Sequence, residues 1–78
     1  MFKGKQAFYK NEVCIYLVHE LLINKKIDVD KVLIFTGISR QTLVRYVSTI
    51  KNTLADFGFY NVTVFYDRSY DCYRCSVE

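Results

Sequence analysis

Residues 27–58, IDVDKVLIFTGISRQTLVRYVSTIKNTLADFG, restrict the fold more than any other stretch, because three short signals divide them into two helices joined by a tight turn. Asp28 suits a helix N-cap: its carboxylate can accept from the unpaired amides of the first turn, and Asp30 adds negative charge at the positive pole. Gly37 suits the end of that helix, since positive φ brings no Cβ clash there. Ser39 is the next N-cap. Over residues 29–36, Val29, Val32, Leu33 and Thr36 share an inner face and leave Lys31, Ile34 and Phe35 outside. Over residues 39–57, Leu43, Val47, Ile50 and Leu54 form an inward stripe that ends before Gly58. Ile38 is left to fill the angle between the two helices.

The flanking segments read as supports for this unit. Residues 8–24 have a helical pattern, with Cys14, Leu17, Val18, Leu21 and Leu22 on the expected inner face and Glu12, Tyr16, His19 and Ile23 opposite. Asn24, Lys25 and Lys26 read as a short connection. After Gly58 the period changes to two: residues 60–66 and 72–77 alternate around the turn DRSYD, a β-hairpin pattern. Its natural register pairs Tyr66 with Tyr73, Val64 with Cys75 and Val62 with Val77, and this apolar face must lie on the helices, because an isolated hairpin is marginal. Residues 1–7 read as an arm or a short strand. The expected architecture is therefore α+β, one domain over residues 1–78, a three-helix bundle followed by a two-stranded antiparallel β-hairpin.

Composition narrows the function. Seventy-eight residues, 51% of them hydrophobic and including seven Tyr and six Phe, can form one core without metal or disulfide staples, but are too few for an enzyme cleft plus a separate binding domain. No apolar run approaches the roughly 20 residues of a membrane span, and the basic start is followed by no cleavage pattern, so a cytoplasmic protein without a membrane partner is expected. Cys72 and Cys75, three apart on a strand, point to opposite faces, and only Cys14 and His19 could complete a metal site. No metal or other cofactor is expected, and the cysteines read as buried thiols, with a Cys14–Cys75 disulfide as the alternative. His19 has no nucleophile and orienting group beside it, and no paired carboxylates face a cleft. Neither catalysis nor a small-molecule substrate is expected.

The net charge of +3 is modest, but its distribution is not even. Residues 37–55 carry Arg40, Arg45 and Lys51 and no acid, and residues 1–10 carry Lys3, Lys5 and Lys10 and no acid. The outward face of the long helix holds Gln41, Arg45, Ser48 and Asn52, flanked by Arg40 and Val44 on one side and Thr42 and Thr49 on the other. These side chains suit the major groove of double-stranded DNA: arginine donates twice to guanine, Gln41 or Asn52 pairs with adenine, and Val44 meets a thymine methyl. Ser39 and Thr42 at the helix start suit phosphates, and Lys31 and Lys51 add cations for the backbone. Arg68 and Tyr70 at the hairpin tip could reach a phosphate or the minor groove, with Asp67 and Asp71 beside them opposing that approach. The basic arm is a further candidate.

Three helices, a hairpin and the turn TGISRQT resemble the winged helix-turn-helix superfamily, and within it the DeoR- and Mga-type DNA-binding domains of bacterial regulators. The likeness runs through Ile27, Asp28, the helix of residues 29–36, Gly37, Ile38, Ser39, Arg40 and Thr42. It implies that residues 39–57 are a recognition helix, that the hairpin is a wing, and that the chain is a small transcriptional regulator of prokaryotic, viral or plasmid origin. Leu33 stands where such domains usually have a small residue and Thr36 where they have a leucine, and Ile34 and Phe35 replace charged residues. Tyr16, Ile23, Ile34 and Phe35 are thus more apolar than solvated helix surfaces require. They read as the contact of a homodimer matched to a two-fold operator, or, in the alternative, as the surface of a protein-interaction module that does not bind DNA.

Overall fold

The structure is a computed structural model that describes residues 8–78. Its elements run α1 (Lys10–Ile23), β1 (Lys26–Asp28), α2 (Val29–Thr36), α3 (Arg40–Asp56), β2 (Val62–Asp67) and β3 (Cys72–Val77). The expected arm of residues 1–7 lies outside the described residues.

The caps act as their chemistry requires. Asp28 accepts from the Lys31 amide at 3.3 Å and starts α2. Gly37 ends it with φ 78°, its N–H donating to the Leu33 carbonyl at 2.9 Å. Thr36 is buried, and its hydroxyl donates to the Val32 carbonyl at 2.7 Å while accepting from the Ile38 amide at 3.3 Å. A hydroxyl therefore ties the last turn of α2 to the inter-helix turn. At the far end of α3, Gly58 takes φ 84° and donates to Ala55, while Phe59 donates to Leu54, a paired closure that satisfies two of the last carbonyls.

The expected two-stranded hairpin is corrected to a three-stranded antiparallel sheet of order β1-β3-β2. The hairpin register is the expected one, Val62 opposite Val77, Val64 opposite Cys75 and Tyr66 opposite Tyr73. The added strand comes from the stretch read as a connection: Lys26, Ile27 and Asp28 lie opposite Arg74, Tyr73 and Cys72. Lys25 makes this possible by taking φ 62°, which turns the chain out of α1 and into the sheet.

The core joins Leu17 of α1, Ile27 of β1, Val32 of α2, Leu43 and Val47 of α3 and Val64 of β2, with Val13, Leu21, Val29 and Ile50 around them. The faces of α2 and α3 are those expected, but α1 is rotated. It buries Val13, Leu17 and Leu21, whereas Val18 and Leu22, expected inside, are exposed together with Ile15. All three cysteines are free: Cys72 is buried, and Cys14 and Cys75 are half-buried. Burial raises the Cys14 thiol above its ordinary range. Among the described residues no helix is long and apolar enough to cross a membrane.

Candidate nucleic-acid interface

The outward face of α3 follows from its inward stripe. With Leu43, Val47 and Ile50 buried, Gln41, Val44, Arg45, Ser48 and Asn52 are all exposed on the other side. Arg45, Ser48, Thr49 and Asn52 line a shallow depression of about 430 Å³ with Tyr46 and Lys10. Lys10, the first residue of α1, holds its ammonium 5.7 Å from the centroid of the Tyr46 ring and so extends the cationic side of this face. In the sequence it is one charge of a basic start. Its position beside α3 depends on how α1 crosses α3, which no local pattern records.

At the start of α3 the hydroxyls are occupied locally. Ser39 accepts from the Thr42 amide at 3.1 Å and donates to the Thr42 hydroxyl at 2.9 Å, so these two side chains cap the helix and hold each other. Arg40 is also engaged. Its two terminal nitrogens donate to the two carboxylate oxygens of Asp71 at 3.0 and 2.8 Å, a fork-to-fork pair between the start of α3 and the β2–β3 turn. The Tyr66 hydroxyl donates to the same carboxylate at 2.5 Å. The bonds from Arg40 and Tyr66 hold the Asp71 carboxyl well below the usual range, at about 2. The same contact with Asp71 raises the Tyr66 hydroxyl.

The hairpin tip is organised by a second pair. Arg74 donates from Nε to Asp67 at 2.8 Å, which holds that carboxyl low, and Asp67 also accepts from the Ser69 amide at 3.0 Å. The guanidinium of Arg74 lies 5.5 Å from the Tyr70 ring centroid, so Tyr70 is a platform for Arg74 while remaining exposed. The two acids expected to repel a phosphate are thus each neutralised by an arginine. Arg68 is exposed at the tip and has no carboxylate partner among the described residues. Lys31 and Lys51 are exposed, Lys51 beside a cleft between α3 and β2 that it shares with Phe59 and Tyr60.

Of the four apolar residues expected to form a partner surface, the structure brings Tyr16 and Phe35 into contact and leaves Phe35 exposed. Tyr16 is half-buried and packs on Phe35 with ring centroids 5.1 Å apart, and Phe8 stacks on the same ring at 5.7 Å. Ile23 and Ile34 remain exposed. The rotation of α1 exposes a further apolar surface. Ile15, Val18 and Leu22 recur at helical spacing on its solvent side, and Ile15 and Val18 border an apolar groove of about 310 Å³ completed by Ile50 and Leu54 of α3.

Compared with protein-family models, curated proteins and solved structures, the chain has no match in any of the three.

Proposed function

We propose that this chain binds double-stranded DNA with sequence preference and acts as a small transcriptional regulator of prokaryotic, viral or plasmid origin. It is read as a winged helix-turn-helix, with α3 as recognition helix and the β2–β3 hairpin as wing. The observation that carries the reading is the solvent face of α3, where Gln41, Val44, Arg45, Ser48 and Asn52 stand exposed in a stretch without a single acid and Lys10 borders them. Acid-free approach is what a phosphate-lined groove demands, and amide and guanidinium groups on one helix face are what base edges in the major groove can pair with. The function is non-catalytic, and the partner is nucleic acid, met by two copies of the chain.

Selection of bound duplexes from a random library followed by fluorescence anisotropy tests this. Arg45→Ala is expected to lower the preference for the selected site over a scrambled one by about 1 to 3 kcal/mol. Equal, weak binding of wild type and variant to every duplex overturns the proposal. A second reading, a protein-interaction module, is favoured by the exposed row Ile15, Val18 and Leu22. A chain that sediments as a monomer and ignores DNA supports that reading instead.

A further inference from the structure

Four arginines lie in the described residues, and the structure divides them into two pairs. Arg40 binds Asp71 of the β2–β3 turn and Arg74 binds Asp67 at the end of β2, whereas Arg45 and Arg68 are exposed without a carboxylate among those residues. We infer that Arg40, Asp71 and Tyr66 form an electrostatically neutral strut between the start of the recognition helix and the wing. Arg40 is then a positioning residue, and Arg45 and Arg68 are the arginines that meet the nucleic acid. The inference rests on the DNA-binding reading and assigns roles within it.

Asp71 is built as the centre of this strut. Its backbone takes φ 50°, a left-handed conformation that carries a cost for a residue with a side chain and that aspartate and asparagine tolerate better than most. In that conformation its carbonyl accepts from the amide of Val29, the first residue of α2, at 3.2 Å. Its carboxylate meanwhile takes both terminal nitrogens of Arg40 and the Tyr66 hydroxyl. One residue therefore joins the start of α2, the start of α3 and strand β2. Moving Arg40 onto a phosphate would break two charge-assisted bonds and leave the Asp71 carboxylate facing the nucleic-acid backbone. Arg45 and Arg68 give up no such bond when they bind.

Counterion release distinguishes the two roles, because the dependence of affinity on salt counts the phosphates a protein neutralises, at about 0.9 in log–log slope for each on duplex DNA. The full chain is titrated with a mixed-sequence duplex across a salt series, and thermal unfolding of each variant is followed by circular dichroism. Arg68→Ala is expected to lower the slope by about 0.9, and Arg45→Ala to lower the preference for a selected site over this duplex, each with little change in melting temperature. The double variant Arg40→Gln with Asp71→Asn removes no net charge, so it is expected to keep the wild-type slope while melting lower. A slope reduced by about 0.9 in that double variant makes Arg40 a phosphate ligand and overturns the inference. If the double variant does not fold, Asp71→Asn alone decides: it keeps a side chain suited to the left-handed backbone and releases Arg40 as a net cation. The slope is then expected to steepen by about 0.9, and an unchanged slope overturns the inference. A wild-type chain with no salt-dependent binding to duplex removes the DNA reading itself, and the melting temperatures then test the strut alone, which an unchanged value for the double variant refutes.

Discussion

The carboxylate of Asp71 is the residue-scale feature whose consequences reach furthest, because its ionisation is linked to folding. Its folded pKa lies at about 2, below the ordinary 3.8, through hydrogen bonds from Arg40 and Tyr66. A depressed carboxylate contributes stability that is fully present above its unfolded value and is lost as pH falls through the folded one. The difference in urea midpoint between wild type and Asp71→Asn should therefore hold constant at neutral and mildly acidic pH. It should close as pH falls from about 4 to about 2. A gap that persists unchanged at the acid end of that window would show that the carboxylate charge has no part in it. The pair is solvent-exposed, so the effect should also shrink with added salt.

At the scale of elements, legibility in the sequence varies with how each helix or strand is specified. Both ends of α2 and the start of α3 were readable because Asp28, Gly37 and Ser39 have local reasons to be where they are, and the faces of α3 were readable because its polar and apolar residues separate cleanly. In α1, by contrast, Ile15, Val18 and Leu22 accompany Val13, Leu17 and Leu21, so it is apolar nearly all round and its pattern fits more than one rotation. Strand β1 has three residues, too few for a period of two to declare itself, and it exists because β3 offers an open edge. The site divides the same way: the outward face of α3 follows from its own sequence, whereas the Arg40–Asp71 pair and the place of Lys10 depend on packing between distant segments. Ile27 tests the added strand directly. It is 0% exposed while Ile34 is 83% exposed, so Ile27→Ala should cost about 2 to 5 kcal/mol in urea unfolding and Ile34→Ala within about 0.5 kcal/mol. Equal costs would mean that the strand does not close the core.

Taken as a whole, the molecule presents two unlike surfaces, a polar acid-free face on α3 and an apolar row along α1, and the proposed DNA-binding dimer would use both. A single recognition helix reads a short half-site, and a two-fold dimer doubles the contact by placing two such helices on a palindrome. An apolar row beside an apolar groove on the same face suits an isologous contact, because a protruding Ile15 or Leu22 of one copy can enter the groove between Cys14, Val18, Ile50 and Leu54 of the other. Ile15 is 67% and Leu22 64% exposed, so replacing both by glutamate alters the surface while leaving the buried stripe of Val13, Leu17 and Leu21 intact. Sedimentation equilibrium of the wild type should give twice the chain mass of 9.2 kDa, and the double glutamate variant should give that mass itself with an unchanged circular dichroism spectrum. On DNA the variant should keep its affinity for an isolated half-site and lose the extra affinity of the two-half-site duplex, since linked sites gain through effective concentration rather than new base contacts. A variant that remains dimeric would move the contact away from this face of α1, with the exposed Ile23 and Ile34 as the next positions to change.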